Sequence, residues 1–296
     1  MGSCFAEHIG AKLAYYQFPN HINPLGIYYH PKAIETFLER LTQNRPFDAE
    51  DVFEHEEIWH SFEAHSRVSQ SSQEELLKVL NKQMEAAIEA LTNATHIFLT
   101  LGSAWGYQLK KNGKWVANCH KVPQKQFNKE LWQVDALQAC MGNILDMIGQ
   151  LNPNTKVVFS VSPVRHLKDG FLENQRSKAH LITAVQNLVF SGRASYFPAY
   201  EVMMDELRDY RFYAADLVHP NELAVDYIWE KFVKVWVDDV ALKDMSEVDA
   251  IRKGQAHRPF NPDSAGHRKF LSSLELRKRK LQERYPSVSY THLTLP

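Results

Sequence analysis

The stretch THIFLTLG, residues 95 to 102, decides the fold. It is short, apolar and rich in β-branched residues, and it stops at a glycine, the pattern of a strand buried on both faces. A helix leads into it. Ser72 and Glu75 have the spacing of a capping box, and Leu77, Leu80, Met84, Ile88 and Leu91 fall on one helical face. The same pair recurs downstream, where Leu131, Val134, Leu137, Met141, Ile144 and Ile148 mark a second amphipathic helix. Asn152-Pro153-Asn154 ends that helix, and KVVFSVSP at 156 to 163 reads as a second buried strand. A third helix over 173 to 190 leads to a weaker strand in SYFPAY at 195 to 200, and a fourth follows His219. Helices alternating with buried strands predict an α/β protein with a mostly parallel sheet and helices on both of its faces.

Two regions break the rhythm. Residues 44 to 70, including FEHEEIWHSFEAHS, have no clear period and read as an insertion near one end of the sheet. Beyond residue 240, which closes the main domain, a C-terminal extension runs to 286, with an ordered loop (AHRPFNPDSAGH) followed by a basic helix. From Arg252 to Arg284 ten Lys/Arg face three Asp/Glu, with Phe270, Leu274 and Leu281 as a narrow apolar stripe. Such a helix is expected to be a solvated face packed on its own domain. Residues 287 to 296 follow no core pattern and read as a non-native tail.

Composition narrows the function. The chain has 296 residues and 44% apolar content, enough for a packed core. Lys and Arg (34) balance Asp and Glu (35), so charge makes no case for nucleic acid or membrane as the general partner. Three cysteines suit a reduced, cytoplasmic compartment better than a disulfide framework, and no run is long enough to span a membrane. Nothing in the sequence calls for a cofactor or a metal, and oligomeric state is not encoded in it.

In open parallel sheets the functional loops leave the carboxyl ends of strands. Four loops draw attention. Ser3, in MGSCFAEHIG, has the local form of a nucleophile on a strand-to-helix turn, yet only Met1 and Gly2 precede it, so the sheet is expected with its first strand missing. Asn23-Pro24-Leu25-Gly26 and Gly102-Ser103-Ala104-Trp105 form the second and third loops, and Asp216-Leu217-Val218-His219 precedes the last large helix. An acid three residues before a histidine can orient that imidazole and leave its other nitrogen free to take a proton from a serine.

This set resembles the SGNH/GDSL hydrolases, and more closely their GSCFA branch. Gly2-Ser3-Cys4-Phe5-Ala6 spells the branch motif, and ANCHKVPQKQF, SPVRHLKDGFLENQRSKAHL, DELRDYRFY and HRPFNP are similar to further stretches of it. The resemblance implies a three-layer α/β/α sandwich, with Ser3 as nucleophile, Asp216 as orienting acid and His219 as base. It also implies an oxyanion site at the N–H groups of Ser3 and Gly26. Where many SGNH enzymes carry Gly-x-Asn, this chain has Gly102-Ser103-Ala104, so an amide donor is lacking there. Ser103, Asn118 or His120 is the expected substitute, and Arg165, leaving a strand end, is a candidate to hold a substrate oxygen.

Plainer roles compete. Ser3 can simply cap a helix, Asp216 can cap the helix after Pro220, and Cys4 is more readily packing than a nucleophile. Arg165 can pair with Asp169 or Glu173. His55, Glu56, His60 and His65 match no recurrent metal spacing, and the stretch WHSFEAHS is read as a pocket rim. The leading expectation is a serine esterase that removes a small acyl group, plausibly acetyl, from a small-molecule or carbohydrate ester through a Ser3 acyl-enzyme. An acyltransferase with the same triad and a non-catalytic ligand-binding protein of the same fold are the alternatives.

Overall fold

A computed structural model describes residues 1–285 of the chain, so the expected tail at 287 to 296 lies outside the described residues. The helix α1 (Cys4–Tyr15) begins directly after Ser3. The next helix, α2 (Pro31–Thr42), starts with a proline whose missing N–H costs nothing in a first turn, and the His30 imidazole caps it by accepting the Lys32 N–H. A hairpin of β1 (Phe53–His55) and β2 (Ile58–His60) follows. Ser72 caps α3 (Gln73–Asn93) through the Glu75 N–H, and the buried stripe is Leu76, Leu80, Met84, Ala87 and Leu91. The expected Leu77 and Ile88 are partly buried against the same core.

The strand β3 (His96–Leu101) lies where the apolar run predicts it. A meander of β4 (Trp105–Leu109), β5 (Trp115–Val116) and β6 (Phe127–Leu131) then forms a separate antiparallel sheet in the order β5-β4-β6. Leu131 belongs to this sheet, paired with Trp105, and α4 (Val134–Leu151) starts only after it. The central strand β7 (Lys156–Val161) and the helix α5 (Phe171–Phe190) match expectation. The last strand, β8 (Ser195–Tyr196), is shorter than expected because Phe197 donates to Phe159 O at 2.8 Å and Pro198, which has no N–H, ends the ladder. A short α6 (Ala199–Glu201) runs into a π turn, and α7 (Glu222–Trp236), α8 (Asp239–Ala256) and α9 (Ala265–Arg284) complete the order.

The main sheet is parallel, in the order β3-β7-β8. Its free β3 edge is met by the first residues of the chain. Thr100 donates to Met1 O (3.0 Å), Ser3 donates back to Thr100 O (2.9 Å), and Tyr28 donates to Gly2 O (2.9 Å) on the far side. Gly2 is required there, because at φ 134° a Cβ would lie 2.1 Å from Thr100 O. The core joins Leu99, Leu101, Phe159 and Val161 of the sheet to Leu80 of α3, Met141 and Ile144 of α4, Leu181 and Val185 of α5 and Phe37 and Leu38 of α2. Each such side chain contributes about 1.5–3 kcal/mol gross.

The region at 44 to 70 contributes side chains to this core. Phe47, Val52 and Ala64 belong to the core, and the fully buried Arg40 binds Asp51 (2.9 Å) and Glu63 (2.7 Å) from it.

The chain divides into two compact units that differ from a simple cut at 240. One comprises Met1–Gly10 and His21–Ile228, and the other Ala11–Asn20 with the chain from Trp229. Both α1 and α7 therefore contribute to each. In the second unit Val248 and Ile251 of α8 pack with Leu274 and Leu281 of α9, while Phe270 is more than one-third exposed. Tyr16 stacks on Trp229 at 5.8 Å, and Arg277 binds both carboxylate oxygens of Glu247. The helix α8 precedes the expected loop at 256 to 267, in a stretch where the sequence reading named no element. Among the described residues no helix is long and apolar enough to cross a membrane.

Candidate active site

The Ser3 backbone is fixed by the β3 edge, and the residue is buried (1% exposed). Its carbonyl accepts the Ala6 N–H as the first bond of α1, but its hydroxyl has no hydrogen-bond partner among the described residues. The side chain is therefore not a helix cap. It lies beside the N–H groups of the first turn of α1, which helix geometry leaves without intrahelical acceptors. An unpartnered buried hydroxyl costs stability, so its retention needs a reason outside packing.

Asp216 and His219 form one rigid loop. Asp216 Oδ1 accepts the N–H groups of Val218 (2.9 Å) and His219 (3.0 Å), and its Oδ2 lies 2.7 Å from His219 Nδ1. These bonds, led by the His219 and Val218 N–H groups, hold the Asp216 carboxyl down to about 2. An ionised carboxylate can only accept, so the proton of a neutral His219 sits on Nδ1 and the lone pair on Nε2. Asp216 does not cap α7. Asn221 does, through the Ala224 N–H. The loop is pinned at Ala214, which donates to His219 O (2.7 Å), and at Arg165, whose N–H donates to Val218 O (3.2 Å).

The charge of His219 bears on His8 of α1 and on His166, both of which burial, first of all, moves below the ordinary histidine range, His166 to about 4. No hydrogen bond joins Ser3 Oγ to His219 among the described residues. The Ser3 hydroxyl is closed from solvent, while the side chains of Asp216 and His219 are about half exposed.

The expected oxyanion donors are engaged in other hydrogen bonds. The Ser3 N–H is spent on Thr100 O and the Gly26 N–H on Asn23 O (2.8 Å), because the first completes a ladder and the second a tight turn. Ser103 donates its N–H to Tyr29 O, while its Oγ accepts from Trp105 N–H and meets Ser177 Oγ at 3.3 Å. The neighbouring Ala104 is fully buried, with its N–H on Ser177 Oγ (2.8 Å). Asn118 Oδ1 accepts the His120 N–H, and His120 Nε2 lies 2.7 Å from Ser61 O, its ring tilted against that of His60 at 4.5 Å. Burial lowers His120 to about 4. Asn118 and His120 thus build a local turn against the aromatic cluster of Phe53 and Phe62. Arg165 pairs with neither Asp169 nor Glu173, which bind Lys129 and Arg176. Its guanidinium instead lies 4.0 Å from the Tyr213 ring, steadying the Asp216 loop. His60 and His65 are committed too, to Ser69 Oγ and to the Arg67 N–H.

Comparison with known families bears on this arrangement directly. The GSCFA family profile matches residues 1–232, taking in both Ser3 and the Asp216 loop. The chain belongs to the GSCFA family. The C-terminal domain of GSCFA domain proteins matches residues 248–293. No curated protein matches the sequence.

One residue of this GSCFA chain escaped the sequence reading altogether. Lys178 of α5 is 1% exposed and donates to Gly102 O (2.8 Å) and Ser162 O (2.7 Å), the carbonyls just beyond β3 and β7. Its surroundings in NQRSKAH are polar, so the helix face it occupies reads as solvated. The available signal was spacing. Asn174, Ser177, Lys178 and Leu181 recur at three and four residues, and all four are buried.

Proposed function

We propose that the chain is a serine esterase with the α/β/α architecture of SGNH hydrolases, removing a small acyl group, plausibly acetyl, from an alcohol or carbohydrate oxygen. The observation that carries this reading is the pairing of a buried, unpartnered Ser3 hydroxyl at a helix N-terminus with a 2.7 Å Asp216–His219 couple whose Nε2 is left free to act. In the reaction Ser3 Oγ attacks the ester carbonyl as His219 Nε2 takes its proton. The tetrahedral intermediate collapses, the alcohol leaves with the proton from His219, and Ser3 holds the acyl group. Water, deprotonated by the same imidazole, then releases the acid and restores the serine.

A fluorophosphonate should label Ser3, and p-nitrophenyl acetate should be turned over by the protein and not by Ser3→Ala. Equal turnover by both proteins refutes the assignment. Adding a carbohydrate acceptor separates hydrolysis from acyl transfer. The closed Ser3 hydroxyl, unbonded to His219, favours a second reading as a ligand-binding protein of the same fold. Saturable binding of an acylated sugar with neither adduct nor turnover supports that reading.

A further inference from the structure

We propose that Lys178 supplies the cationic N–H donor for the oxyanion formed during Ser3 acylation, in place of the amide that position 104 lacks. The inference rests on the esterase reading above. Lys178 Nζ is held by two carbonyls at the carboxyl ends of the paired strands β3 and β7. Two bonds satisfy a neutral amine, whereas an ammonium keeps one further N–H. No third acceptor takes that N–H among the described residues.

What lies near it belongs to the site. Lys178 and Cys4, the residue after Ser3, are close enough to bias each other's ionisation. Lys178 likewise presses on His166, on which His219 also bears. Ser3 Oγ is buried and without a partner. The other candidate donors are spent: Ser3 N–H on Thr100 O, Gly26 N–H on Asn23 O, Ala104 N–H on Ser177 Oγ. No proton is transferred in this role, since the ammonium only donates a hydrogen bond to charge that develops in the transition state.

The position also makes the donor titratable. Burial lowers Lys178 to about 7, and Cys4 opposes that shift. The groups facing it are the Cys4 thiol, pushed up by burial, His166, lowered to about 4, and the Tyr200 ring at 5.6 Å. Activity therefore needs His219 neutral and Lys178 charged, and it falls on the alkaline side as Lys178 loses its proton.

The test is kcat/KM for p-nitrophenyl acetate against pH, with Ser3 labelling by a fluorophosphonate run in parallel, for the wild type, Lys178→Met and Lys178→Gln. The expected result is a bell-shaped wild-type profile. Either folded variant should lose about 100- to 1000-fold in kcat with KM little changed, and its alkaline limb should vanish. An alkaline limb that survives in the variants, or a loss under tenfold, overturns the role of Lys178 while leaving the esterase intact. If neither variant folds, the wild type still decides, because a flat profile to pH 10 overturns the proposal and a fall between pH 7 and 9 supports it. Absence of both adduct and turnover in the wild type fails the esterase reading itself and takes this role with it.

Discussion

Two residues whose substitution changes little in size separate chemistry from architecture here. Asp216→Asn keeps a side chain that can still accept from Val218 and His219, so the fold should stand, yet an amide can present N–H to the imidazole and stabilise the wrong tautomer. The expected loss in kcat is on the order of 10³- to 10⁴-fold, read by ester hydrolysis with an unchanged melting temperature, and a rate within tenfold of wild type removes Asp216 from the mechanism. Asp216, held to about 2, stays ionised well below neutrality, so activity lost on the acid side above about pH 4 does not report its protonation. Gly26→Ala acts differently. At φ 84° its Cβ would lie 2.4 Å from His65 Cβ, so the variant should lose roughly 1–3 kcal/mol or more of stability, measurable as a lower denaturant midpoint. A fully stable Gly26→Ala would mean that the turn is not required in this form.

Arg40 ties the helix α2 to the irregular segment that follows it, and its energetics can be isolated. It and Asp51 are 0% and 4% exposed, and Arg40 Nη1 also donates to Arg45 O and Pro46 O. Burial pushes the Asp51 carboxyl up, but the hydrogen bond and charge of Arg40 outweigh it and hold the group below its ordinary value. A depressed carboxyl stabilises the fold above its unfolded pKa and loses that contribution as pH falls through the folded one. Arg40→Met, which strands Asp51 and Glu63, should cost about 3–5 kcal/mol at pH 7. The deficit should shrink as pH falls below 4, since protonation then neutralises the stranded carboxylates. Urea melts at pH 7 and pH 3.5 decide it, and a deficit independent of pH would make the effect one of packing alone. This segment also shows why parts of the fold were readable and others not. The strands β3 and β7 and the helices α3 to α5 announce themselves because each buries a wide apolar face with a clear period. The region around Arg40 is held by charges, β4 to β6 alternate only weakly, and α8 buries just Met245, Val248 and Ile251, so none stands out from solvated sequence. The site divides likewise. Ser3 and Asp216–His219 were visible as local motifs, whereas the spent N–H groups and Lys178 depend on which strand ends meet in space.

The division of the chain into two units has a consequence for α1, because that one helix carries Ser3 at its start and residues of the second unit from Ala11 onward. Within that unit Tyr15 donates to Asp249 (2.9 Å), and Tyr16 packs on the cluster of Val248, Ile251, Leu274 and Leu281. Twelve residues are too few for a helix to persist in water on its own propensity, so the last turns of α1 depend on those contacts. The first turns do not, because Phe5 and Ile9 are buried in the unit that holds the sheet. A chain ending at Val237 keeps α7 but loses α8 and α9. It should melt about 3 to 10 °C lower, as expected for losing roughly 1–3 kcal/mol of apolar burial in a protein of this size. Amide exchange should quicken from Ala11 to Asn20 while protection at Phe5 to Ile9 and fluorophosphonate labelling of Ser3 are retained, since fraying proceeds from the far end of the helix. Loss of labelling together with protection at Phe5 would show that the serine's position depends on the C-terminal helices. Unchanged exchange at Ala11 to Asn20 would show that α1 is ordered along its length without them.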